Sequence, residues 1–223
     1  MPKHQLLLYV IIPFILTALL GCNTSVKKVT YLPTRHIDTS IYRQLNSRFN
    51  VSTYKATDYL GSLTPQYPIV FAYQMLFDPK GKTTSKDTDW VAGGFFPSAR
   101  KIIVKTDSAY ILINNRTELK KFYAPISSAE EALAYATLYN KSFAAFDDFF
   151  GEKKYTYEGK KPAPSYSIQK GDVYEVHLFS YKAFGCDHPY FSEVYKVARD
   201  GSVQLISKVR SFKNPADDGM CVD

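Results

Sequence analysis

Arg199-Asp200-Gly201-Ser202 separates two runs of alternating apolar and polar residues, Tyr190 to Ala198 and Val203 to Phe212. A period of two places every second side chain on one face of a strand, and Asp-Gly supplies the backbone conformations that a tight reversal needs. The pair reads as a β-hairpin. A third run, Val173 to Tyr181, sets Tyr174, Val176 and Leu178 against Glu175 and His177, and extends the hairpin to a three-strand meander. Upstream, Lys101 to Thr106 and Ala109 to Asn114 form a second hairpin signal around Asp107-Ser108. Tyr67 to Phe77 is β-branched and aromatic enough for a strand, although its unbroken apolarity also suits a helix.

Helical signals are fewer. Ile41, Leu45 and Phe49 recur at four-residue spacing from a start near Asp38 or Thr39, with Thr39 or Ser40 as the cap. Ser127-Ser128-Ala129-Glu130-Glu131 reads as a helix start with a capping box, Ser127 with Glu130 or Ser128 with Glu131. Phe143 to Phe150 reads as a short helix stopped at Gly151. The expected fold is α+β: an antiparallel sheet, with the C-terminal meander and its Asp-Gly hairpin, packed with one or two helices. One domain over 37–223 follows, with a Lys-, Gly- and Pro-rich connector near 151–166 where it could subdivide.

The N-terminus is of another kind. Lys3 and His4 precede a run from Leu6 to Leu20 that ends in Leu19-Leu20-Gly21-Cys22. At about 15 residues, with Pro13 inside it, the run is short of the roughly 20 that cross a bilayer. Leu19-Leu20-Gly21-Cys22 resembles the lipobox of bacterial lipoproteins. That resemblance implies cleavage before Cys22, removal of 1–21 as a signal peptide, and acylation of the Cys22 thiol and amino group. Two or three acyl chains anchor far more firmly than one, at about 0.8 kcal/mol per buried methylene. Asn23, where an Asp would retain such proteins at the inner membrane, implies the outer membrane facing the periplasm in a Gram-negative host. The polar stretch within 22–36, with Lys27, Lys28 and Arg35, then becomes a membrane-proximal tether.

With Cys22 assigned to lipid in an oxidising compartment, Cys186 and Cys221 remain, and they are expected to form a disulfide. The net charge of +7 carries no basic stripe or nucleic-acid motif. Anionic headgroups and wall polymers are the fitting neighbours for a basic chain at an envelope surface. The expected partners are the membrane, through the N-terminal lipid, and an envelope protein or polymer; nucleic acid is not one of them.

No motif selects a reaction. Cys186-Asp187-His188, with His177 and Cys221, lacks the spacing of a zinc site, and a disulfide consumes its sulfurs. Gly81-Lys82-Thr83 lacks the earlier glycine of a P-loop; Asp87 and Asp89 lack the rest of a calcium loop. Asp147-Asp148 and Asp217-Asp218 are adjacent pairs, whereas glycosidic acid–base chemistry needs carboxyls facing across about 5–10 Å. Neither metal nor cofactor is expected. Trp90, Phe95 and Phe96 beside Gly93-Gly94, together with Tyr155 and Tyr157, are the candidate binding surface, since exposed aromatics stack on sugars or anchor partner proteins. The leading expectation is a non-catalytic binding or assembly module. The alternative is an envelope hydrolase built around Glu175, His177 and His188.

Overall fold

A computed structural model describes residues 39–57, 63–76, 90–92, 97–151 and 154–222. The expected signal peptide (1–21), Cys22, the expected tether (22–36), the Asp78–Lys82 turn signal, Asp87, Asp89, Phe95 and Phe96 lie outside the described residues.

The fold is α+β with antiparallel strands in two five-stranded sheets. The first contains β1 (Ser52–Thr57), β2 (Ile69–Met75), β3 (Val91–Ala92), β4 (Ser98–Lys105) and β5 (Tyr110–Ile113). Its order is β1-β2-β4, with β3 and β5 both pairing along the far edge of β4. The second contains β6 (Thr156–Tyr157), β7 (Tyr166–Lys170), β8 (Val173–Tyr181), β9 (Pro189–Ala198) and β10 (Val203–Lys213), in the order β6-β10-β9-β8-β7. Among the described residues, four α-helices accompany them: α1 (Tyr42–Phe49), α2 (Arg116–Tyr123), α3 (Ala129–Tyr139) and α4 (Asp147–Gly151).

The layers follow from side-chain parity. In β2 and β4, Ile69, Phe71, Ile102 and Val104 share one face and pack toward α2 and α3; Val70, Ala72 and Ile103 share the other and pack on Leu45 of α1. In β8 and β9, Tyr174, Val176, Leu178, Tyr195 and Val197 face α3 from the opposite side. Helix α3 is therefore wedged between the sheets, which is why it is apolar nearly all round, with Ala132, Leu133, Ala134, Tyr135, Ala136 and Leu138 buried. Its three buried alanines let both sheets approach closely. On the outer face of the second sheet, Phe179 and Phe212 pack with Phe150 of α4 and Tyr155.

The caps explain where α3 starts. Ser128 Oγ accepts the Glu131 amide at 3.1 Å, as the capping box requires. The Glu131 carboxylate does not return to Ser128. It accepts the Ser127 amide at 2.6 Å, the Ser127 hydroxyl at 2.7 Å and the Thr64 amide at 3.0 Å, tying the strand-preceding segment to the helix start. At the N-terminal end of the described chain, Thr39 and Ser40 lie in a 3-10 turn ahead of α1 instead of capping it. Within the Tyr67 to Phe77 run, Ile69–Met75 is strand, and the 107–108 hairpin forms, with Thr106 accepting and donating across Ala109.

The Asp-Gly turn is held from outside as well as within. Gly201 has φ +79°, and its carbonyl accepts the Tyr135 hydroxyl at 3.0 Å. A Cβ there would meet Tyr135 Oη at 3.1 Å, Lys120 Cγ at 3.2 Å and Ala124 Cβ at 3.3 Å. Gly201→Ala is expected to cost about 1–3 kcal/mol, from the left-handed backbone plus the crowding. Denaturant unfolding measures it; a loss under about 0.5 kcal/mol would mean that the turn relaxes freely.

Candidate functional site

Helix α3 ends at Tyr139. Beyond it the two sheets are no longer filled by a helix, and a cleft of about 700 Å³ opens between them. That volume lies within the range of small-ligand pockets, about 300–1,000 Å³. The first sheet supplies Tyr54, Phe71, Tyr73, Ser98 and Arg100; the far wall is Phe143, Tyr181 and the loop through Phe184; Thr137, Lys141 and Ser142 close the end of α3. Strand parity aims the first wall. Tyr73 is opposite Arg100 in the β2–β4 register, and both continue the α3-facing rows of Phe71 and Ile102. The Tyr54 ring lies 6.2 Å from both Phe71 and Tyr73.

The helix C-terminus is bound by cations. Arg100 Nη1 donates to the Asn140 carbonyl, and Arg116 Nε donates to the Tyr139 carbonyl at 3.2 Å. Trp90 Nε1 donates to that same Tyr139 carbonyl at 2.9 Å. Lys141 Nζ donates to the Val91 carbonyl at 3.1 Å, which fixes β3 beside the cleft. The Arg100 guanidinium sits 5.2 Å from the Phe71 ring centre and 5.7 Å from that of Trp90; Arg116 sits 4.9 Å from Tyr139. Such contacts stabilise a partly desolvated cation by roughly 0.5–2 kcal/mol. Burial lowers the affinity of Arg100 for its proton, and the Arg116 charge lowers it further, although the Tyr54 hydroxyl opposes both. Burial likewise lowers Lys141, with Arg100 and Arg116 adding to the shift.

Behind Ser142 lies a buried carboxylate. Glu193, 2% exposed, accepts Ser142 Oγ at 2.5 Å and Tyr195 Oη at 2.7 Å on one oxygen. Its other oxygen accepts Ser180 Oγ at 2.6 Å and pairs with Lys208 Nζ at 2.8 Å. Burial pushes this carboxyl up, but Lys208 and the three hydroxyls outweigh it and hold it below the usual carboxylate range. A carboxylate held that low is a weak base for a serine. Neither described histidine reaches Ser142: His177 Nδ1 bonds the Pro164 carbonyl, and His188 lies against the Lys182 and Met220 carbonyls. The cluster is built to hold the cleft floor in place.

The other expected residues are dispersed. Glu175 pairs with Lys170 at 2.5 Å near the start of β8, and His177 follows on the same face, packed against Tyr166 and Phe179. His188 lies past the far end of β8, with its ring stacked on Tyr181. Glu175, His177 and His188 therefore share no cleft. Of the expected surface aromatics, Trp90 lines the cleft but is only 2% exposed, packed under Arg100, and Tyr155 is 8% exposed, packed on Phe150 and Phe212. Tyr157 is half-buried against Phe212. Large rings lose too much apolar contact to stay in solvent when a core is near. Among the described residues, the exposed aromatics are Tyr54, Tyr73, Tyr181 and Phe184, all on the cleft.

Cys186 and Cys221 form a disulfide, 35 residues apart in sequence. With the paired backbone bonds of Gly185 and Val222, it fastens the C-terminal tail to the loop that supplies Lys182, Ala183 and Phe184 to the cleft wall. No group of three or more His, Cys, Asp or Glu able to hold a metal occurs among the described residues. No family model, curated protein or solved structure matches the chain.

Sequence reasoning missed Arg100, Arg116 and Lys141. The signal for α2 was present: Asn115 caps Glu118, and Leu119 and Tyr123 follow at helical spacing. That helix start places Arg116 at the end of α3, which no local pattern could reveal.

Proposed function

We propose that the chain is a lipoprotein tethered at the bacterial envelope through Cys22, and that its folded part is a non-catalytic module binding an envelope protein or polymer. One observation carries the binding reading: a ligand-sized cleft whose lining is aromatic, cationic and hydroxylic, with Glu193, the buried carboxylate behind Ser142, already committed to Lys208. Aromatic faces and fixed hydroxyls hold a ligand without transforming it. The lipobox supplies the address, an outer membrane facing the periplasm in a Gram-negative host, and the basic tether suits an anionic surface.

The anchor is tested by labelling cells with radioactive palmitate. The native chain is expected to incorporate label and fractionate with membranes, and Cys22→Ser to do neither. The module is tested by extracting the full chain in detergent and identifying what co-purifies. Phe184 is 56% exposed and Tyr181 38%, so Phe184→Ala with Tyr181→Ala is expected to leave the fold intact and to release the bound material. Retention of the same material by the doubly substituted chain would move binding away from the cleft.

A further inference from the structure

The cations at the cleft are over-supplied for any structural task. A helix C-terminus carries about half a negative charge. Three full positive charges, on Arg100, Arg116 and Lys141, converge on the one end of α3 and on the strand beside it. Among the described residues the acceptors they use are neutral: the backbone carbonyls of Asn140, Tyr139 and Val91, and for Arg100 also the Tyr54 hydroxyl. The ion pairs seen among the described residues engage other cations, on Lys120, Lys170, Lys208, Arg210 and Lys213. Arg100 Nε is buried with no hydrogen-bond partner at all. A guanidinium has five donors, and leaving one desolvated and unmade is costly. The three groups also repel one another: Arg100 and Lys141 are each destabilised as cations by Arg116, beyond the effect of burial. An arrangement of this kind is relieved by an incoming anion.

We infer that the cleft binds an anionic saccharide, a sugar unit bearing carboxylate or phosphate, with the acid group taken by Arg100 and Lys141 at the end of α3 and the ring held between the aromatic walls. This rests on the binding reading above and specifies its ligand. Guanidinium and ammonium groups together suit an oxyanion, since charge-assisted hydrogen bonds are roughly twice as strong as neutral ones. The rest of the lining suits a pyranose. Tyr54 and Tyr73 stand on one side and Phe143 and Tyr181 on the other, offering flat apolar faces to the ring's C–H surface. Ser98 and Thr137 add hydroxyls at the same surface. A bare acidic peptide would use the cations but would leave this aromatic enclosure unexplained.

The test is calorimetric titration of the full chain in detergent with four probes: trigalacturonate, glucose 6-phosphate, maltotriose and hexaglutamate. Expected is binding of one or both acidic sugars, at least about tenfold tighter than maltotriose and weakened by raising salt from 50 to 500 mM. Which acidic sugar binds tells carboxylate from phosphate. Lys141→Gln, at an exposed position, is expected to weaken it about tenfold with an unchanged melting temperature, and Arg100→Gln by more. Equal affinity for maltotriose, indifference to both substitutions, or tighter hexaglutamate binding would each overturn the inference, the last in favour of an acidic peptide. If no sugar binds while native extracts still carry envelope material that Phe184→Ala with Tyr181→Ala releases, the anion inference fails and the module stands. If those extracts carry none, the module reading itself fails.

Discussion

Replacing Cys186 and Cys221 together by serine is expected to lower the unfolding free energy by about 3–4 kcal/mol. The chain-entropy relation gives that for a closed loop of 35 residues. For a chain of this size the melting temperature should fall by roughly 6–16 °C. The native protein treated with reductant should show the same fall, and the double variant should show no further response. A native melting curve indifferent to reductant would contradict the expectation. The loss is not confined to stability. The disulfide and the Gly185–Val222 pair hold the loop that carries Lys182, Ala183 and Phe184, so cutting the bond loosens one wall of the cleft. Binding should weaken in the cysteine variant at temperatures where it is still folded. Gly201→Ala, which destabilises at the α2–α3 end of the molecule, should leave binding unchanged when folded.

Glu193→Ala is expected to cost about 2–3 kcal/mol. Removing one partner of a fully buried ion pair costs about 3–5 kcal/mol, but Lys208 keeps 43% of its side chain in solvent and can rehydrate. What remains is the loss of acceptors for Ser142, Ser180 and Tyr195. Glu193→Gln should recover part of it by accepting some of those hydroxyls. The same carboxylate gives a pH signature. Its native proton affinity is depressed, so the unfolded chain binds more protons as pH falls below about 4.5. The stability it contributes is complete above that point and is lost as pH falls through the lower native value. His177 adds an earlier step: burial lowers it from about 6.5, against the opposing Pro164 carbonyl and Glu175, so it stays neutral in the fold and stability declines as pH falls below about 6.5. Urea midpoints across pH 3 to 8 should therefore show two declines on the acid side. Glu193→Gln should shrink the lower, to which Asp200 beside Lys120 and Ser202 also contributes, and keep the upper; His177→Asn should remove the upper and keep the lower. Midpoints independent of pH across that range would refute both assignments.

What could be read locally was read from local chemistry. Ser128 and Glu131 start α3 because a hydroxyl and an amide three residues apart meet across one turn. Asp200-Gly201 reverses the chain because glycine accepts φ +79° without penalty. The alternation of β8 marks the faces that α3 and α4 later cover. β7 was missed because Tyr166 and Ile168 alternate with polar residues over only five positions before a lysine and a glycine, a pattern short enough to pass for a loop. β1 was lost for a like reason, being Ser-Thr-Tyr-Lys-Ala-Thr with one large apolar ring.

The division of labour has a plain physical cause. By itself, the sequence determined periodicity, turns, caps and the pairing of two cysteines, since each depends on residues a few bonds apart or on simple elimination. It also carries Leu19-Leu20-Gly21-Cys22, whose resemblance to a lipobox concerns processing and not folding. Alternation says which side chains share a face; it does not say which sheet they join or what covers them. Only the tertiary structure decided that the strands split into two sheets around α3, that Trp90 and Tyr155 turn inward, and that Arg100, Arg116 and Lys141 meet at one helix end. Those outcomes depend on where α3 stops between two surfaces built from distant segments, and on burial competing among many aromatics for the same core.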